Sequence, residues 1–169
     1  MRKEQFIYIP STSHGVADYS DTATSVTPLV VTGGGARVKL TNDGLGAFTN
    51  LDHLPDGVGD VWNPVTSQFD FSDLPLGSVI HGRVDLQITT IGTNAEFRIE
   101  QDLAIGGFAY TLTGGGETYK SAGTYQFISV GFVYIGDDNT RFNPAELYCK
   151  CTNDCTVVVN GWALALNLK

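Results

Sequence analysis

Beyond residue 78 the chain becomes a succession of apolar and polar positions that alternate one for one. Val84, Leu86 and Ile88 alternate with Arg83, Asp85, Gln87 and Thr89, and Phe97, Ile99 and Leu103 alternate with Glu96, Arg98, Glu100 and Asp102. A period of two marks a strand with one buried face. Joined by Gly92-Thr93-Asn94, the two runs are expected to form an antiparallel hairpin with one wet face. Further strand runs cover 108–113, 123–135, 145–151 and 155–168, with turn signals at Gly106-Gly107, Gly114-Gly115-Gly116, Gly136-Asp137-Asp138-Asn139 and Thr152-Asn153-Asp154.

Two runs have no obvious face for water. In 156–169, Val157, Val159, Gly161, Ala163 and Ala165 share one parity, while Val158, Trp162, Leu164, Leu166 and Leu168 share the other. In 123–135, Tyr125, Phe127, Val133 and Ile135 oppose Ile128, Val130, Phe132 and Tyr134. One sandwich core accounts for one face of each, so the second faces are expected against neighbouring copies. The competing reading is that the N-terminal third covers them within one chain. The seam expected between subunits uses Gly161, Ala163 and Ala165, whose small side chains permit close approach, with Tyr125, Phe127 and Phe132.

Residues 1–60 are looser. Short strand candidates lie at 6–10, 28–32 and 36–41, the last two joined by Gly33-Gly34-Gly35 as in a short hairpin. The expected organisation is a single domain over 1–169, with 1–20 as an extended arm and 21–60 loop-rich. In the arm, Arg2 and Lys3 carry positive charge in an acidic protein, and Phe6 and Tyr8 belong to an apolar run suited to strand addition on another sheet edge. The alternative is that 6–9 is the first strand of the sandwich.

A chain of 169 residues can bury a core without a metal or disulfide staple. Charged residues are 17% of the total, glycine contributes 20 positions, and no convincing helix is visible, which favours an all-β fold. The net charge of −8, with scattered Lys and Arg, argues against nucleic-acid partners. The N-terminal apolar run is too short for a secretory signal, and nothing reaches the roughly 20 apolar residues of a membrane span, so cytoplasmic synthesis without membrane insertion is expected.

Several segments together carry a resemblance: Phe69-Asp70-Phe71-Ser72, Leu76-Gly77-Ser78, Arg83-Val84-Asp85-Leu86, Ala122-Gly123-Thr124-Tyr125, Asn143-Pro144-Ala145 and Val159-Asn160-Gly161-Trp162. Over about 60–168 the chain resembles small virion proteins of tailed bacteriophages. The resemblance implies an antiparallel jelly-roll β-sandwich of the tumour-necrosis-factor and C1q type. It also implies a homotrimeric head-decoration (cement) protein in the virion, bound to the major capsid protein or another virion protein. Outside the span of the resemblance, the charge and apolar run of the arm make Arg2, Lys3, Phe6 and Tyr8 the expected capsid-contacting residues. The alternative is a fibre tip that recognises host surface polysaccharide, with Trp62, Tyr110 and Tyr119 as the glycan platform.

No enzymatic constellation stands out. His14, His53 and His81 are separated, Gly-x-Ser-x-Gly is absent, and neither Gly triplet is followed by the Lys-Ser/Thr of a phosphate loop. No catalytic residue and no cofactor are expected. Cys149, Cys151 and Cys155 offer three thiolates where structural zinc takes four ligands, and a disulfide across the 152–154 turn is also conceivable. Reduced, buried thiols are the preferred reading. Asp137-Asp138-Asn139-Thr140 reads as a turn in preference to a calcium loop.

Overall fold

The computed structural model describes residues 13–169. Eleven strands and two short helices follow one another: β1 (His14–Ser20), α1 (Ala23–Val26), β2 (Leu29–Val31), β3 (Val38–Lys39), β4 (Trp62–Asn63), β5 (Gln68–Phe69), β6 (Val79–Thr90), β7 (Ala95–Leu103), β8 (Tyr110–Tyr119), β9 (Gly123–Tyr134), α2 (Asp138–Phe142), β10 (Glu146–Cys151) and β11 (Cys155–Asn167). The first sheet has the order β1-β11-β6-β9, with β2 also on β11, and the second has β3-β10-β7-β8. All these ladders are antiparallel. Eight principal strands in two four-stranded layers, with the chain crossing repeatedly between layers, form a jelly-roll β-sandwich. The tiny β4–β5 hairpin sends Trp62 and Phe69 into the interior, where Trp62 meets Trp162 edge-on at 4.7 Å.

The alternations mark the core correctly. Ile80, Val84, Leu86 and Ile88 of β6 and Phe97, Ile99 and Leu103 of β7 are all buried. The expected partnerships are different. β6 and β7 do not pair; β6 lies between β11 and β9, and β7 between β10 and β8, so residues 91–94 turn a corner from one layer to the other. Alternation identifies a strand's buried face, and either sheet of a sandwich satisfies it. Likewise β2 pairs with β11 and β3 with β10, so Gly33, Gly34 and Gly35 form a crossover instead of a hairpin turn. Gly114, Gly115 and Gly116 lie inside β8, beside a register shift at Arg98/Glu100, where a turn was expected.

Of the residues expected as an arm, 14–20 form β1, paired with β11 from His14↔Asn167 to Ser20↔Gly161. The alternation of Ala17 and Tyr19 with polar neighbours fixes this strand on the core.

The C-terminal strand overturns one premise. A β-bulge between Val159 and Gly161 inserts Asn160, so side-chain parity flips midway. Val157 and Val159 before the bulge and Trp162, Leu164 and Leu166 after it are all buried. Both apolar faces counted from the sequence are therefore largely one core face. The bulge is fastened by α1: the Val159 N–H donates to Thr24 Oγ1 at 2.8 Å, and the Thr24 N–H donates to Asp21 Oδ2 at 2.7 Å.

Candidate assembly surface

The outward faces of the two sheets differ in kind. On the second sheet, Arg37 reaches Glu100 at 3.0 Å and Asp102 at 2.8 Å, Lys150 pairs with Glu100, and Lys39 meets Glu146 at 2.7 Å. Tyr148 donates to Glu146 and lies under the Arg37 guanidinium, 4.1 Å from the ring centre. Burial alone would raise Asp102, but hydrogen bonds from Thr111 and Arg37 outweigh it and hold the carboxyl below its ordinary range. Glu146 is lowered in the same way: Lys39, Tyr148 and Gln68 overcome desolvation.

The first sheet carries an apolar strip at its β9 edge. Ile128, Val130, Phe132 and Tyr134 point outward and are 57%, 72%, 63% and 56% exposed. Across the ladders Val130 lies beside Arg83, which lies beside Ala163, which lies beside Asp18. The next row runs Phe132, His81, Ala165 and Val16. The strip is thus flanked by an Arg83–Asp85 ion pair of 2.9 Å and then by two small alanines.

Of the six residues expected at a seam, Phe132, Ala163 and Ala165 share this outer face. Phe127 is buried against Phe97, with ring centres 5.1 Å apart, and Tyr125 stacks on Tyr119 at 4.3 Å. Phe127 belongs to the core, and Tyr125, partly buried, packs against its edge. Gly161 is covered by β1, since a Cβ there would fall 2.4 Å from the Tyr19 carbonyl oxygen. Ile128, Val130 and Tyr134 join the face instead. The sequence places all three on the parity of Phe132, although they were not assigned to the seam.

The expected aromatic platform is not assembled. Trp62 is buried, its indole N–H donating to the Asn42 carbonyl at 3.0 Å, and Tyr119 is buried beneath Tyr125. Tyr110 is half exposed, its hydroxyl 3.1 Å from Thr140 Oγ1. The arm residues Arg2, Lys3, Phe6 and Tyr8 lie outside the described residues.

Cys149, Cys151 and Cys155 are free and buried. Desolvation, with a contribution from Cys151, pushes the Cys149 thiol up to about 12 and raises Cys155 as well. Among the described residues, no group of three or more His, Cys, Asp or Glu side chains is placed to hold a metal ion. The 137–140 segment starts a helix in place of the expected turn: Asp137 caps α2 by accepting the Thr140 N–H at 2.7 Å. No helix among the described residues is long and apolar enough to cross a membrane.

The sequence matches no protein-family model and no curated protein. Among solved structures, the chain is similar to one described as the structure of infectious bursal disease virus, Gx strain, with a TM-score of 0.47 and 10% identity over 99% of this chain. It spans 35% of that chain, about a third of its length. It is also similar to the Eiger TNF structure from S. frugiperda, with a TM-score of 0.44 and 11% identity over 94% of each chain. The jelly-roll assignment rests on the strand order itself.

Proposed function

We propose that this chain is a non-enzymatic structural protein of a bacteriophage virion, a head-decoration protein that forms a homotrimer and binds the capsid surface. The observation that carries the reading is the outward apolar row Ile128, Val130, Phe132 and Tyr134, which no other element of the described chain covers. A continuous apolar strip on a sheet face is costly to leave in water and is a common mark of protein contact. The ion-paired second sheet offers no comparable surface. Ala163 and Ala165 lie two strands away from the strip and leave room for a neighbour's backbone or large side chains. Contact with the major capsid protein through Arg2, Lys3, Phe6 and Tyr8 belongs to the same proposal and draws on the positive charge and apolar run of that segment.

Size-exclusion chromatography with light scattering on the full chain tests the assembly. The wild type is expected to run as a trimer, and Val130→Glu with Phe132→Glu, or Ala163→Arg, as a folded monomer. A folded wild-type monomer at micromolar concentration overturns the trimer. Copy number in purified particles tests the location: hundreds of copies support decoration, whereas a handful point to a fibre tip. That alternative, with host polysaccharide as ligand, lacks a specific observation in its favour because Trp62 and Tyr119 are enclosed.

A further inference from the structure

The first sheet ends laterally in two unlike edges. One is β9 with its apolar row, and the other is β1, three strand spacings or about 14 Å away across the same face. Residues 46–60 flank β1: the Phe48 N–H donates to Ser20 Oγ at 3.1 Å, Asn50 bridges to Asp18, and the Val16 N–H donates to the His53 carbonyl at 3.0 Å. These bonds fix the backbone beside β1 and leave Phe48 84% exposed. Between Phe48 and Ile128 the outer face sinks into a hollow of about 530 Å³ over Gly161, Ala163 and the Arg83–Asp85 pair. Gly161 and Ala163 put almost no side chain into it. The hollow is several times the roughly 150 Å³ that encloses benzene, so it has room for more than one large side chain.

The two edges also differ in charge. Residues 118–136, which include β9, contain Lys120 and no carboxylate. Residues 40–60 contain Asp43, Asp52, Asp56 and Asp60 and no Lys or Arg. Two β1 edges brought together would set carboxylates against carboxylates, at a cost in a chain of net charge −8. A β9 edge against a β1 edge sets the acid-free side on the acidic one.

Resting on the trimer reading above, we propose that copies of this chain join head to tail: the β9 row of one copy seats in the hollow of the next, against that copy's Phe48. Such a contact uses two different surfaces of each chain, as a three-membered ring requires and a two-fold pair does not. The polar groups in the hollow are largely satisfied before contact. Arg83 is held by Asp85 at 2.9 Å, and Asn160 donates to Gln126 at 3.3 Å. Asp18, at the β1 side of the hollow, is only partly buried.

Size-exclusion chromatography with light scattering and sedimentation equilibrium on the full chain test the contact. Because Phe48 is exposed, Phe48→Glu should keep the wild-type melting temperature and run as a monomer where the wild type is a trimer. Phe48→Ser should weaken association several-fold and serves as the readout if the glutamate variant does not fold. Phe48→Glu chains retain the β9 row, and chains with Val130→Glu and Phe132→Glu retain the hollow. Mixed in equal amounts, the two variants should form a one-to-one pair through a single intact contact, which neither forms alone. A wild-type trimer that survives both Phe48 substitutions overturns the head-to-tail contact and leaves the trimer itself standing. So does a failure of the two variants to pair at every concentration at which both stay folded. A wild-type monomer defeats the trimer and this contact together.

Discussion

The Val159 N–H and the Thr24 hydroxyl, 135 residues apart in sequence, meet at 2.8 Å where β11 changes from one edge partner to another. On one side of this contact β11 pairs with β1, and on the other with β2. Between them the backbone group of Val159 has no strand to bond to, and Thr24 supplies the acceptor. Thr24→Val keeps the volume and removes the oxygen. It is expected to cost about 1–3 kcal/mol, the penalty of an unsatisfied buried amide, visible as a lower urea midpoint with unchanged slope. Thr24→Ser should retain most of the stability.

Gly161 is the second element of the bulge. Its φ of +153° and the 2.4 Å approach of a Cβ to the Tyr19 carbonyl oxygen both argue against any side chain. Gly161→Ala is expected to destabilise by roughly 2 kcal/mol or more and to impair pairing of β1. Gly131→Ala is the matched control and should be nearly neutral in thermal denaturation.

What the sequence discloses about this fold depends on distance along the chain. Local alternation identified the inward faces of β6 and β7, and the surplus of apolar residues in β9 identified the face of Ile128, Val130, Phe132 and Tyr134, of which Phe132 alone was assigned to the seam. Pairing partners were hidden, because Gly92-Thr93-Asn94 is as compatible with a corner between sheets as with a hairpin. The bulge at Asn160 was hidden for another reason: counting by twos presumes an unbroken register, and one inserted residue assigned Val157 and Val159 to the face of Ala163. Trp62, placed in a loop or at a strand end by its sequence neighbours, is drawn inward by Trp162, a hundred positions away in sequence, and Tyr119 is buried at a strand end under Tyr125.

The ion pairs of the second sheet predict acid sensitivity. Asp102 and Glu146 have folded pKa values below their unfolded ones, so their contribution is full above about pH 5 and disappears as pH falls through the lowered values. Melting temperature is expected to drop as pH falls below the ordinary carboxylate range. Glu146→Gln should be less stable at pH 7, by about 1–3 kcal/mol, and show a shallower decline in acid. An equally steep decline in this variant counts against Glu146 as a contributor.

The cysteines should be chemically quiet. Cys149 is held near 12 by burial, so at pH 8 it is almost wholly the unreactive thiol. A chromogenic disulfide reagent is expected to label none of Cys149, Cys151 and Cys155 in the native protein within minutes and all three in urea. Rapid native labelling of any of them shows that the local packing opens easily.

Because β11 stands between β1 and β6 and also carries β2, both N-terminal strands join the β6–β9 ladder of the first sheet only once residues 155–167 exist. A nascent chain that has emerged only as far as β10 holds β1 and β2 without their partner. Final closure of the sandwich therefore waits for β11, and refolding should be slow, as expected when early and late segments must find one another before either is secure.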